Sequence, residues 1–373
     1  MSISDPATAE YFQVGTSNYS GVVVGESAAL GISAVYRAIA LISGSIASLP
    51  GHVVRTHDDG TKERVDSWLD DPGFMQTRYE FWETVLTHLL LHGNAFLLHI
   101  HGGAGQIVSM QIVHPLSVSV KLDSAMNKVY EVTLDNGTKQ AFDDLTMTHI
   151  PALSTDGLRG LSPITVARNS LGIAVAGDRA AARMFSNGPL IAGMVTPEDD
   201  LSEDDAKAIK AGLDAKVAGY ENAGQIPVIN RKLKFTPWTM SNEDAQFLQS
   251  RQFQIEEIAR WYGVPPYELM QTEKQTSWGT GIEAQQRGLA RQVLGPWAVR
   301  VEQRITRLLP DGDKFEFDFS GLERPTPAEE IALLIQQVQG GLLTVNEARR
   351  VRNMPPIEGG DALASNPVGG PNV

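Results

Sequence analysis

Residues 241–288 constrain this chain more than any other stretch, because they read as a capped amphipathic helix, an abrupt stop, a polar loop and a second helix. Ser241 stands at the N-cap position, and Asn242, Glu243 and Asp244 fill the first turn, where negative charge meets the positive end of the helix dipole. Phe247, Leu248, Ile255, Ile258, Ala259 and Tyr262 recur mostly on one face at helical spacing, with Gln249, Gln252, Glu256 and Arg260 on the remainder. Gly263 and then Val264-Pro265-Pro266 end the helix, since glycine accepts left-handed backbone and proline cannot continue the ladder. The following Q-T-E-K-Q-T-S-W-G-T-G, residues 271–281, is small and polar with few apolar anchors. No catalytic cluster lies anywhere in this stretch.

The rest of the chain divides by period. Residues 1–28 are polar and rich in Gly and Ser, which predicts a flexible arm. Val35, Ala38, Ile39, Ile42 and Ile46 predict a buried amphipathic helix over 32–49, ended by Pro50-Gly51. A strand over 52–56 and a helix over 79–92, stopped by Gly93, come next. Strands over 95–101 and 107–113 flank Gly102-Gly103-Ala104-Gly105, and strands over 129–134 and 139–142 flank Asp135-Asn136-Gly137, a hairpin signal. This half reads as α+β. Ser162-Pro163 then opens a long Ala-rich helix running to Asn187-Gly188, with cap, first-turn proline and terminal glycine in favoured places. A helix over 203–218, a strand-like piece between 219 and 241, a helix over 282–309 bent at Gly295-Pro296, and a strand over 314–319 follow. Helices over 327–339 and 345–353, the second with a Thr344/Glu347 capping box, precede a tail of disorder-like composition.

At 373 residues and 42% hydrophobic composition, the chain has the material for a sizeable core and more than one structural region. With no cysteine, it has no disulfide framework, thiolate metal site or cysteine nucleophile. No apolar run approaches the roughly 18 residues of a membrane span, and the N-terminus lacks a basic region followed by an apolar one, so a soluble, unsecreted chain is expected. A formal charge of −13 opposes tight phosphate clamping, although not a conduit through which DNA slides.

The search for chemistry returns mainly packing and solvation. All eight histidines lie at or before His149. His88 and His92 have the spacing of H-E-x-x-H, but Leu89-Leu90-Leu91 intervenes and the general-base Glu is missing, which favours packing. His99 and His101 share one strand face, compatible with packing or a solvated face. G-T-G-I-E-A at 279–284 follows no strand and reads as a loop entering a helix rather than a dinucleotide fingerprint. Neither G-x-x-x-x-G-K-[ST] nor G-x-S-x-G occurs, and the paired carboxylates sit at turns, helix starts or polar faces. No catalytic residue, metal ligand or cofactor is assigned. Arg231, Lys232 and Lys234 form a basic island beside Trp238, readable as a solvated edge strand or as a contact surface for nucleic acid or an acidic partner.

The wording of several pieces goes further. D-A-Q-F-L at 244–248, I-E-E-I-A-R at 255–260 and G-V-P-P at 263–266 closely resemble the HK97-type bacteriophage portal family. So do G-L-R-G-L-S-P-I at 157–164, M-F-S-N-G at 184–188, N-A-G-Q-I-P-V-I at 222–229 and L-G-P-W-A-V-R-V-E-Q at 294–303. L-T-V-N-E-A-R-R at 343–350 and M-P-P-I-E-G-G-D at 354–361 complete a resemblance covering roughly residues 30–362. It implies an α+β fold made of a wing over 29–200, stem helices over 201–219 and 241–263, and a clip over 220–240. A tunnel loop over 264–281, a wing return helix and strand over 282–324, a crown over 325–362 and a disordered tail over 363–373 complete the scheme. It further implies a non-enzymatic homo-oligomeric ring, typically a dodecamer, at one capsid vertex of the virion, assembled in host cytoplasm. Double-stranded DNA would pass through it non-specifically during packaging and ejection. The terminase large subunit, the major capsid or scaffold protein and the head-tail connector would be its partners, with no membrane and no cofactor. Lys274, Gln275, Thr276 and Trp278 then become channel-facing candidates, and Arg231, Lys232, Lys234 and Trp238 partner-binding ones in the clip. Ring formation predicts apolar side chains left uncovered on helices 32–49 and 282–309 of a lone subunit. The competing reading is a metal-dependent or other hydrolase on the histidine-containing half, for which no nucleophile, base and orienting group stand at recognisable spacing.

Overall fold

The apolar stripe predicted near the N-terminus forms the helix Ser33–Ala47, which buries Val35, Ala38, Ile39, Ile42 and Ile46 against the helix Arg78–His92. The computed structural model describes residues 21–186, 193–197, 207, 233–237, 243–270, 287–321 and 327–363. The predicted helix over 203–218 lies outside the described residues except for Lys207, and the end of the long helix at Asn187-Gly188 lies outside them altogether.

Among the described residues, four small antiparallel sheets accompany the helices, giving an α+β architecture. Asn94–His101 is the centre of one, flanked by Ile107–Val113 and Met147–Pro151. Lys128–Thr133 is the centre of another, between Val118–Leu122 and Lys139–Phe142, and Asn136-Gly137 makes its turn with Gly137 at φ 78°. Val118–Leu122 and Met147–Pro151 were not read as strands from the sequence, each being only five residues long. A third sheet joins distant parts of the chain: Gly51–Thr56 pairs with Lys62–Val65 and with Asp313–Phe317, placing Val53 opposite Phe315. Arg55 closes its far edge on Asp313 through a two-pronged ion pair of 2.6 and 2.8 Å. Behind it Trp82, fully buried, meets Phe81, Phe315 and Phe317 at ring separations of 5.0, 5.4 and 5.6 Å. The return strand therefore seals the main core, and a smaller core of Phe96, Val118, Val120, Tyr130, Val132 and Met147 fills the neighbouring sheets.

Several elements differ from expectation. The segment taken as a flexible arm contains the start of a helix, Glu26–Leu30, whose Ala29 is buried, and Val22 is buried as well. The helix opened by Ser162-Pro163 is divided at Ala167 into Pro163–Val166 and Arg168–Ser186. Ser162 still caps it, accepting the Thr165 N–H at 3.2 Å. In the 282–309 helix the irregularity sits one step before the predicted bend. Pro296 has no N–H to donate, and the chain takes a π-helical turn over Ala290–Leu294 before Gly295–Thr306 continues as α-helix. Nor do these helices wait for a neighbour to cover them. Among the described residues of Ser33–Ala47 and 287–309, Tyr36 and Val299 are the exposed large apolar side chains, the others being buried or half-buried within the chain.

The last two helices, Pro327–Gln339 and Val345–Val351, are joined through an Arg352–Glu330 ion pair of 2.8 Å. The predicted capping box is present, with Thr344 Oγ1 accepting the Glu347 N–H and Glu347 accepting the Thr344 N–H.

Candidate functional site

The helix Glu243–Tyr262 is seated from two sides, on Ser33–Ala47 and on Arg168–Ser186. Ile258, Ala259 and Tyr262 are buried in that seat, as the periodicity required. Gly263 takes φ 69° and the Val264 N–H returns to the Ala259 carbonyl at 3.0 Å, a left-handed stop that a β-carbon would strain. Val264 is buried, and the prolines then pass the chain into a tight turn, Pro266–Leu269, whose Leu269 is buried and whose Glu268 carbonyl accepts from Arg37 Nε at 3.2 Å. At the other end of the loop, Ala290, Val293 and Leu294 are buried. Residues 271–286 are thus held at both ends by core-anchored elements. Lys274, Gln275, Thr276 and Trp278 themselves lie outside the described residues.

Arg231, Lys232 and Trp238 also lie outside them. Lys234 stands in the strand Leu233–Pro237, which pairs with Gly193–Pro197 so that Lys234 faces Thr196 in register. The partner strand lies ahead of residues 201–219 in the chain, so the strand carrying Lys234 is joined by backbone hydrogen bonds to the segment that precedes them.

The sequence pieces that looked distinctive turn out to be packing devices. In G-L-R-G-L-S-P-I, the Gly160 N–H donates to Asn94 Oδ1 at 2.8 Å, and Asn94 Nδ2 returns to the Gly160 carbonyl at 2.9 Å. Ser162 Oγ donates to the Leu91 carbonyl at 2.8 Å. This ties the loop to the end of the helix Arg78–His92, where Gly93 takes φ 70°. In L-T-V-N-E-A-R-R, the buried Asn346 holds M-P-P-I-E-G-G-D: its Oδ1 accepts the Ile357 N–H, and its Nδ2 donates to the Ile357 carbonyl and to Asp361.

Two histidines of the α+β half, His149 and His99, are fixed in structural positions. His149 stacks on Phe96 at 4.5 Å and donates from Nε2 to Asn94 Oδ1 at 3.0 Å. His99 is buried, which settles its packing: Nδ1 donates to the Leu145 carbonyl and Nε2 accepts from the Thr148 hydroxyl, both at 2.8 Å. The hydrolase reading finds no support in them, because among the described residues the hydroxyl paired with an imidazole, that of Thr148, is buried with it. His88 and His92 do more than pack in the leucine face. They meet His114 edge-on, with ring separations of 5.3 Å from His88 and 5.2 Å from His92. Glu26 joins them, and one ligand atom each from Glu26, His92 and His114 lies within 4.8 Å of the others. No spacing motif marks this group, since its members are too far apart in the chain.

Burial drives His149 well below the ordinary histidine range, with the fields of Lys128, Arg304 and Arg159 acting the same way. Burial likewise lowers His99 and pushes His88 down to about 3. The folded chain keeps such rings neutral, whereas the unfolded chain takes up protons below about pH 6.5. Stability is therefore complete above that value and is lost as pH falls from it toward the lower folded-state values. A buried neutral imidazole such as His149 gives a slope of up to about 1.4 kcal/mol per pH unit. Urea unfolding at pH 7.5, 6 and 5 is expected to show this decline before carboxylates begin to titrate; a flat profile across that window would contradict the burial.

The family model described as phage portal protein matches residues 33–353. The chain belongs to the phage portal protein family. It is 33% identical over 349 residues to the portal protein of Enterobacteria phage HK97, covering 89% of this chain and 81% of that one. It is 32% identical over 375 residues to a probable portal protein of Streptomyces phage phiC31, covering 95% and 82%. A solved HK97-family phage portal protein from Corynebacterium diphtheriae matches with a TM-score of 0.62 at 20% identity, over 82% of this chain and all of that one. A chain of the neck of a native gene transfer agent particle, computed with C12 symmetry, matches with a TM-score of 0.60 at 21% identity, over 95% and 100%. These two likenesses carry the portal fold. Among the described residues, no helix of this portal-family chain is long and apolar enough to cross a membrane.

Proposed function

We propose that this portal protein works as a homo-oligomeric ring of twelve copies at one capsid vertex, a structural conduit through which double-stranded DNA is packaged and later ejected. The observation that carries this is the family match over residues 33–353, supported by the likeness to a neck chain in a particle computed with C12 symmetry. The wing is the α+β body. The stem pairs residues 201–219 with the helix Glu243–Tyr262, the clip spans 220–240, the tunnel loop spans 264–281, and the last two helices form the crown. Ile331, Leu333 and Ile335 are exposed on the helix Pro327–Gln339, apolar surface that a neighbouring copy would cover. The net charge of −13 suits a channel wall, since repulsion between carboxylates and phosphates keeps DNA from adhering while it moves.

In this reading the terminase large subunit and the head-tail connector dock at the clip, and the capsid or scaffold protein surrounds the ring. Arg231, Lys232 and Lys234 give the clip positive charge within an acidic chain. Replacing all three by Glu is expected to weaken docking of the terminase large subunit by at least about tenfold, because like charges juxtaposed across an interface cost more than the about 1.4 kcal/mol that a tenfold change represents. Ring assembly, followed by native mass measurement, is expected to persist. Unchanged docking together with unchanged packaging would return the three residues to a solvated strand edge.

A further inference from the structure

We propose that Glu26, His92 and His114 form a binding site for one borderline divalent cation of the Zn²⁺ class, which pins the N-terminal helix to the α+β body. The three side chains arrive from separate elements: the helix Glu26–Leu30, the last residue of the helix Arg78–His92, and the residue capping the turn Pro115–Ser117. Glu26 Oε2 lies 3.4 Å from His92 Nε2 and 3.9 Å from His114 Nε2. Ligand atoms placed about 2.0–2.1 Å from a tetrahedral zinc stand about 3.4 Å from one another. One edge of that figure is already present, and the others close by small ring rotations.

A second observation points to the same place. His92 is about nine-tenths buried, and its Nε2 has no solvent contact and no aligned hydrogen bond, Glu26 being near but poorly oriented. A buried polar nitrogen aimed at a carboxylate and a second imidazole is what a cation would satisfy. Two imidazoles and one carboxylate suit zinc and its neighbours rather than magnesium or calcium, which prefer oxygen throughout. His114 is half-exposed and leaves an entry path and a fourth position for water. His88 lies beside the group, its ring 5.3 Å from that of His114, with a buried Nδ1 that has no hydrogen-bond partner. Two features oppose binding. The field of Arg159 reaches His92, and coordination through His114 Nε2 gives up the long 3.3 Å hydrogen bond from the Leu116 N–H to His114 Nδ1. The Glu26 charge offsets the first, and the half-exposed ring releases the second readily.

Such a site is structural. It joins residues 26, 92 and 114, so binding selects the folded chain and resists detachment of the N-terminal helix. The test uses the full-length chain stripped with a chelator and titrated with ZnCl₂ or CoCl₂. The expected result is one ion per chain by calorimetry, a tetrahedral visible spectrum with Co²⁺ and a higher melting temperature. Glu26→Gln and His114→Gln, both at solvent-accessible positions, are each expected to weaken the affinity by on the order of tenfold or more, and His92→Gln to abolish it. His57→Gln, at an exposed residue paired with Glu63 elsewhere on the surface, should change nothing. Absence of saturable Zn²⁺ and Co²⁺ binding, or binding that His114→Gln leaves intact while circular dichroism shows an unchanged fold, would overturn the proposal.

Discussion

Replacing Gly160 with alanine is expected to destabilise the α+β body by about 3 kcal/mol or more, the level reached by severe overpacking. A β-carbon there would overlap the Gly93 carbonyl oxygen and stand 2.5 Å from the Ala152 backbone nitrogen. These are the two atoms of the hydrogen bond by which the strand Met147–Pro151 leads on to the helix terminus, Ala152 N–H to Gly93 O at 2.8 Å. Neither is the flexible end of a side chain, so relief requires the backbone to part. That in turn breaks the paired contacts of Asn94 with Gly160 and exposes buried donors and acceptors. Gly93→Ala meets the same obstacle from the other side, against Leu161 and Ser162, with left-handed strain added at φ 70°. Gly103→Ala is the matched control, because open space surrounds that position. Denaturant midpoints measure all three. A Gly160→Ala chain within about 1 kcal/mol of the parent would show that the loop is not closely seated on the helix end.

Deleting residues 272–280 is expected to leave ring assembly intact and to reduce full-length DNA packaging to a small fraction of the parent level. The segment contributes few apolar side chains, so little packing is lost with it. Its ends belong to structure fixed in other ways, with Leu269 and Val264 buried on one side and Ala290, Val293 and Leu294 on the other. Shortening a polar loop between fixed ends changes closure entropy by less than about 1 kcal/mol. In the proposed conduit, Lys274 would offer phosphate attraction and Trp278 transient apolar contact with passing DNA. Packaged genome length by gel, alongside ring mass, measures both arms. Full-length packaging after the deletion would leave the loop as a linker alone.

The sequence spoke most clearly where a local rule has a local cause. The Thr344/Glu347 box, Ser162 with Pro163, the stop at Gly263 and the turn at Asn136-Gly137 each satisfy backbone groups within a few residues, and each is found as read. Relations between distant residues left no such trace. Nothing near Gly51 announces that Asp313–Phe317 will lie beside it, because pairing is decided by the core that Trp82 and the two phenylalanines fill together. Ala167 interrupts a helix whose composition favours continuity, and the structure shows why the ends are held, through Ser162 to Leu91, but gives no reason for the break itself. The group at Glu26, His92 and His114 was invisible for a similar reason: three unrelated turns of chain must fold before its members meet. Of the candidate site, the helix stop beneath the loop followed from physical rules, while the channel and clip roles of Lys274, Trp278, Arg231 and Lys234 came from the family resemblance. Local chemistry does not distinguish a polar loop facing DNA from one facing water.

Electron microscopy of the chain assembled with its capsid protein tests the central claim most directly. Rings with a central hole and twelvefold rotational symmetry are expected in end-on views. Procapsid-assembled material containing only monomers or dimers would contradict that claim.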